Sequence, residues 1–243
     1  MAGERELAGQ TVVVIGGSSG IGLETARRAR EEGADVIISA RDPDRVHRAG
    51  LELGASIAAF DATDFDRLRT FFDELPAPID HVLVTGPGHY DASIAEVDLL
   101  EARGGADAHL RLPLLVARNA VDKVRPAGTL LFIGGTGGRH PVTGLAHIGP
   151  LTAALPALTR TLALELAPIR VNLIAVGFVD TRLAAAILGD HLEARREQLR
   201  TTLPIRRVVG PADVAALAVH LMTNTAITGA TFDIDGGQQL VEA

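Results

Sequence analysis

An apolar run, Thr11–Ile15, passes directly into Gly16-Gly17-Ser18-Ser19-Gly20-Ile21-Gly22, and a helix-like stretch, Gly20–Glu32, follows. Few folds begin with a buried strand, a glycine-rich turn and a helix in that order. The arrangement reverses the chain tightly and aims backbone N–H groups and the positive end of a helix dipole at one spot, which is a receptor for a pyrophosphate. Glycine serves such a turn because it tolerates positive φ and puts no Cβ between backbone and ligand. Ser18 and Ser19 add hydroxyl donors. Gly16, Ser18, Ser19, Gly20, Ile21 and Gly22 are therefore the expected contacts of a dinucleotide phosphate.

The rest of the chain repeats the strand–helix alternation. Val36–Ser39, His81–Thr85, Thr129–Ile133, Val171–Val176 and Thr231–Ile234 are short and rich in Val, Ile and Leu, as suits strands buried on both faces of a parallel sheet. Helical stretches are expected over Asp64–Glu74, Ala106–Val124, Gly149–Leu166, Thr181–Arg200 and Pro211–Met222. This pattern predicts an α/β fold, a doubly wound parallel sheet of about seven strands flanked by helices, of the Rossmann type. No linker, repeat or low-complexity tract divides residues 1–243, so one domain is expected. The net charge of −7 speaks against nucleic acid as the main partner. No apolar run has the length of a membrane span and the N-terminus carries no signal core, so a cytoplasmic location is expected. The absence of cysteine removes thiol chemistry and cysteine metal sites, and no histidine pair has the i, i+4 spacing of a zinc motif, so no metal is expected.

The second strand ends at Ala40-Arg41-Asp42. In this fold an acidic residue near that point bonds the ribose 2′-OH of NAD, whereas an arginine suits the 2′-phosphate of NADP. A guanidinium also stacks on adenine. Arg41 therefore points to NADP(H) as the cofactor.

Over almost its whole length the chain resembles the short-chain dehydrogenase/reductase family. Gly16-x-x-x-Gly20-x-Gly22 is similar to the family's cofactor fingerprint, with Ile15 in place of the usual threonine. Asp61-Ala62-Thr63-Asp64 resembles the stretch after the third strand, where the resemblance gives Asp61 the adenine amino group and makes Ala62 its neighbour in the site. Thr85-Gly86-Pro87-Gly88 stands where the family reads Asn-Asn-Ala-Gly, and Arg170-Val171-Asn172 resembles the entry to the sixth strand. Gly177-Phe178-Val179-Asp180-Thr181 resembles the segment that binds the nicotinamide carboxamide, so Gly177, Val179 and Thr181 join Thr85 and Gly86 as expected cofactor contacts, with Val176 in place of a proline. Ile227-Thr228-Gly229 and Asp235-Gly236-Gly237 match the segments flanking the last strand. The resemblance makes residues 181–203 a substrate lid and implies a homo-oligomer, dimer or tetramer, paired through the helices near Ala106–Val124 and Gly149–Leu166.

The resemblance stops at the chemistry. The family's catalytic set is Asn, Ser, Tyr and Lys, and the matching positions hold His109, Gly135, Ile148 and Thr152. The only tyrosine is Tyr90 and the only lysine is Lys123, so no shift of alignment restores a Tyr-x-x-x-Lys pair. Hydride transfer to a carbonyl develops negative charge on oxygen, which needs a proton or an oxyanion stabiliser. Tyr90 and His109 are the expected substitutes, and His89, His140 and His147 also border the site in this fold. Arg182, Arg195, Arg196 and Arg200 in the lid read as a solvated face or as contacts to an anionic small-molecule ligand. Two functions follow as expectations: an NADP(H)-binding protein without ordinary catalysis, and an NADP(H)-dependent oxidoreductase acting on a carbonyl, alcohol or imine substrate through a non-standard site.

Overall fold

The computed structural model describes residues 5–86, 92–139 and 143–241. Seven strands form one parallel sheet: β1 (Thr11–Ile15), β2 (Asp35–Ala40), β3 (Ser56–Ala59), β4 (Ile79–Val84), β5 (Val124–Gly135), β6 (Arg170–Val176) and β7 (Thr231–Ile234). Their order is β3-β2-β1-β4-β5-β6-β7. The chain reverses direction across the sheet between β1 and β4, and open α/β sheets bind ligands in the crevice at such a switch point.

Each strand is apolar because it is covered twice. In β1, Val13 and Ile15 enter one core cluster and Val12 and Val14 the other. The first cluster packs under α3 (Phe65–Glu74), α5 (Leu112–Ala120) and α6 (Gly149–Glu165), with Phe71, Phe72, Val116 and Leu162 among its members. The second packs under α1 (Gly20–Glu31), α2 (Pro43–Leu53) and α9 (Pro211–Thr223), with Ala26, Val46, Val214 and Ala218. Among the described residues no helix is long and apolar enough to cross a membrane.

Two expected helices are broken. The stretch expected as Ala106–Val124 begins earlier, as α4 (Leu99–Ala106), passes through a π-helical turn at Asp107–Arg111, and resumes as α5. Pro113 explains the break: it has no N–H to offer the carbonyl of His109, and its ring would crowd that carbonyl in a regular helix. The stretch expected as Thr181–Arg200 divides into α7 (Arg182–Leu188) and α8 (Leu192–Thr202) around Gly189, whose φ is 50°. β3 and α2 were not expected from periodicity. β3 is a short edge strand, exposed along most of its length, so no alternation marks it.

Candidate cofactor and active site

The glycine turn is fixed first by its own backbone. The N–H groups of Gly16 and Gly17 both donate to the Ser39 carbonyl, at 2.9 and 3.0 Å, which ties the turn to β2. Gly16 has φ 90°, and a Cβ there would fall 1.9 Å from Thr85 Oγ1. A Cβ on Gly22 would stand 2.2 Å from the Gly16 carbonyl oxygen. Both glycines are thus demanded by close packing of turn, helix and β4. Thr85 fills the space beside them, its hydroxyl donating to the Ile15 carbonyl at 3.1 Å.

That packing leaves donors unspent. Ser19 is the N-cap of α1 in extended geometry, and its side chain makes no capping bond. Gly20, Ile21 and Gly22 form the first helical turn, whose N–H groups have no acceptor within the helix. Ser18 is buried beside them. This donor set fits an anionic phosphate.

Arg41 and Asp61, the residues expected at the adenosine half of a cofactor, stand beside each other after β2 and β3. Arg41 is 80% exposed, and its guanidinium lies 3.9 Å from Asp61 Oδ2. Burial alone would raise the Asp61 pKa, but the hydroxyl and N–H of Thr63, assisted by Arg41, outweigh it and hold the carboxylate below its ordinary value. Asp42 is spoken for: it caps α2 by accepting from the Arg45 N–H and pairs with the Arg45 guanidinium at 3.0 Å. Ala62 packs against the first core cluster.

Across the switch point, Gly86 lies against the end of β5, where a Cβ would meet the Ile133 carbonyl at 3.1 Å. Thr181 caps α7, its hydroxyl accepting from the Ala184 N–H. Its methyl comes within 3.3 Å of where a Cβ on Gly20 would stand, so the segment after β6 reaches the turn. Gly177 donates to the Ile234 carbonyl, and Val179 is buried in a single parallel bridge to Val209.

The four positions matched to the family's catalytic set sit around the ends of β4 and β5. Gly135 ends β5, and a Cβ there would stand 3.3 Å from the Thr152 methyl, so these two positions face each other. Thr152 directs its hydroxyl at the Ile148 and Gly149 carbonyls, each at 3.0 Å. Ile148 is 5% exposed and packs its end toward Gly105 of α4. His109 lies on the π-helical turn, 8% exposed, with Nδ1 2.8 Å from the Gly105 carbonyl. It lines a narrow cavity with Thr85, Gly86, Ile133 and Leu155. Tyr90, His89 and His140 lie outside the described residues, and His147 is half-buried just before α6. A larger cavity of about 580 Å³ lies between the segments after β4 and β5, bordered by Ser93, Ile94, Arg139 and Leu145.

Three of the four arginines of residues 181–203 are engaged locally. Arg196 pairs with Asp180 at 2.7 Å and with Glu193, Arg200 pairs with Glu197, and Arg195 donates to Gln198. This favours the solvated-face reading of that helix. Among the described residues no group of three or more His, Cys, Asp or Glu side chains is placed to hold a metal. Sequence reasoning missed Arg139, Asp233, Gln238 and Gln239, which join the loop after β5 and the segment after β6 to β7 and the C-terminal turn. These pairs are separated by 60 to 100 residues, and no local pattern announces them.

A family model described as enoyl-(acyl carrier protein) reductase matches residues 15–239. The chain is 30% identical over 247 residues to short-chain dehydrogenase/reductase ATR9 of Stachybotrys chlorohalonatus, covering 95% of this chain and 97% of that one. Among solved structures it is similar to the MalC reductase/Diels-Alderase of Malbranchea aurantiaca, with a TM-score of 0.90, 26% identity, and coverage of 98% and 99% of the two chains. It is also similar to BdcA, crystallised in complex with NADPH, with a TM-score of 0.86, 26% identity, and coverage of 96% and 95%. The seven-stranded parallel sheet, the glycine turn at its switch point and a match running from the end of β1 to the C-terminal turn agree: this chain belongs to the short-chain dehydrogenase/reductase family, whose members use nicotinamide cofactors.

Proposed function

We propose that this protein holds NADP(H) at the glycine turn and that the ordinary chemistry of its family is suppressed there. One observation carries the cofactor reading: the end of β2 presents an exposed guanidinium, while the neighbouring Asp42 carboxylate caps α2 and pairs with Arg45. A 2′-phosphate at that place gains a charge-assisted partner in Arg41, which a bare ribose 2′-OH does not. The similarity to a structure holding NADPH supports the same reading. Thermal shift with NADPH, NADP⁺, NADH and NAD⁺ tests it. The two 2′-phosphorylated forms should raise the melting temperature well above the others, and Arg41→Ala should abolish the difference. Equal shifts from NADH and NADPH would refute it.

The second half rests on what surrounds the reacting end. Bound NADPH supplies a hydride, and an acceptor oxygen then needs a proton. Gly135 and Ile148 have none to give, and Thr152 aims its hydroxyl at backbone carbonyls. Loss of a general acid costs about 10²–10⁴-fold in rate. The expected result is cofactor binding without turnover on a broad panel of carbonyls, alcohols and imines, and one efficient substrate would overturn it.

The alternative reading has its own observation. His109 is buried on a π-helical turn, a feature found often at functional sites, and lines the cavity under Thr85 and Gly86. In an NADP(H)-dependent oxidoreductase with a non-standard site this imidazole is the proton donor. His109→Ala should then lower any detected turnover about 100-fold, and an unchanged rate would remove the role.

A further inference from the structure

The sheet order divides the cofactor site. β2 and β3, with Arg41 and Asp61, lie on one side of β1, and β4, β5 and β6 lie on the other. A dinucleotide with its pyrophosphate on the glycine turn and its adenosine over β2 must send its nicotinamide half across β4 toward β6. Three segments frame that half: the loop after β5, residues 177–181 after β6, and the end of the helical segment at residues 203–205. All three meet one turn near the C-terminus, Asp235–Gln239.

The contacts are specific. Arg139, in the loop after β5, pairs with Asp233 through both terminal nitrogens and donates to Gln239 Oε1 at 3.1 Å. Gln238 Oε1 accepts the Phe178 N–H at 2.9 Å. Gly177 is glycine where a Cβ would stand 2.7 Å from both Asp235 Cβ and Gln238 Oε1. Gly236 and Gly237 have φ of 67° and 83°, and their faces abut Ile205 and Pro204. The turn is held together by buried Asp235, which accepts from the Gly237 N–H at 2.8 Å and from the Gln239 N–H and side-chain amide at 3.1 and 3.0 Å. A turn cross-bonded by Asp235 thus holds a backbone N–H of the very segment that approaches the glycine turn through Thr181.

We propose that Gln238 is a positioning residue for the nicotinamide half of the bound cofactor. Its Oε1, by holding the Phe178 N–H, fixes residues 177–181 against the glycine turn. The proposal rests on the NADP(H) reading above. Isothermal titration of NADPH and of adenosine 2′,5′-bisphosphate, which carries the adenosine half alone, separates the two. Gln238→Met removes the acceptor at similar volume and should weaken NADPH about fivefold, the worth of one neutral hydrogen bond, while the bisphosphate stays within twofold of wild type. Gln238→Glu keeps an acceptor and should restore most of the NADPH affinity. A purely structural role would lower the melting temperature and weaken both ligands alike. Equal weakening, no weakening, or a Gln238→Glu variant as weak as Gln238→Met would overturn the proposal. A wild-type protein that binds neither ligand would instead overturn the cofactor reading beneath it.

Discussion

His81 shows how burial sets the behaviour of one residue. It lies on β4, 2% exposed, with Nε2 2.8 Å from Gln10 Oε1, so the neutral ring carries its proton there. Nδ1 has no partner. Burial, reinforced by the Arg170 and Arg125 guanidinium groups, pushes its pKa down to about 3 from 6.5. The unfolded chain therefore binds a proton below pH 6.5 that the folded chain refuses. Stability from this residue is complete above pH 6.5 and is lost as pH falls toward 3, at up to about 1.4 kcal/mol per pH unit. Urea unfolding between pH 7 and 4.5 should show this slope, and His81→Gln should flatten it. A slope unchanged by the substitution would contradict the assignment. At the same scale, Arg41 and the glycine turn are legible because their chemistry lies in consecutive residues. Gln238 and Arg139 are not, because each acts on a segment brought to it only by the finished sheet.

Elements here are held at their ends as much as along their faces. α9 finishes at Thr223 with carbonyls that a helix cannot satisfy internally. Buried Arg170 of β6 gathers them: it donates to the carbonyls of Leu221 and Met222, both at 2.7 Å, and of Asn224 at 3.0 Å. It also reaches the Ala127 carbonyl and Thr129 Oγ1. Carbonyls at a helix C-terminus carry partial negative charge, which compensates this guanidinium without a carboxylate. Burial still lowers its pKa. Arg170→Met should destabilise the fold by about 3 kcal/mol, since hydrogen bonds to charged groups are worth about 1.5–3 kcal/mol each and several buried carbonyls lose their partner. Denaturant unfolding would measure it, and a loss below about 1 kcal/mol would show that water or neighbouring groups replace the guanidinium. The strands and most helices were readable from apolar periodicity. The edge strand β3 was not, because exposure removes the signal, and the π-helical turn was not, because one proline in an otherwise helical run shows where the ladder breaks but not how it is repaired.

The molecule as a whole separates the network that holds it together from the proposed cofactor site. The C-terminal ends of the strands carry the glycine turn, Arg41 and the residues around Gly135. The N-terminal ends carry a polar network: Asp80 accepts from the Thr11 N–H at 2.7 Å and pairs with Arg125 at 2.5 Å, and Arg125 shares Gln10 with His81. Strands of five to seven residues put roughly 17–23 Å between these ends. Sites that far apart with no common partner contribute additively, to within about 0.5 kcal/mol. Arg125→Ala leaves the largely buried Asp80 carboxylate, among the described residues, with the Thr11 N–H alone. The loss should be about 1–3 kcal/mol, which for a chain of this size lowers the melting temperature by roughly 2–10 °C. The rise produced by saturating NADPH should be unchanged, because the network touches no residue of the glycine turn. Arg41→Ala should do the reverse, keeping the unliganded melting temperature and losing the preference for 2′-phosphorylated cofactors. The double variant should show both effects at full size. A cofactor response that shrinks in Arg125→Ala would mean that the sheet couples its two ends, and that the site depends on packing carried through β1 and β4 from the opposite edge.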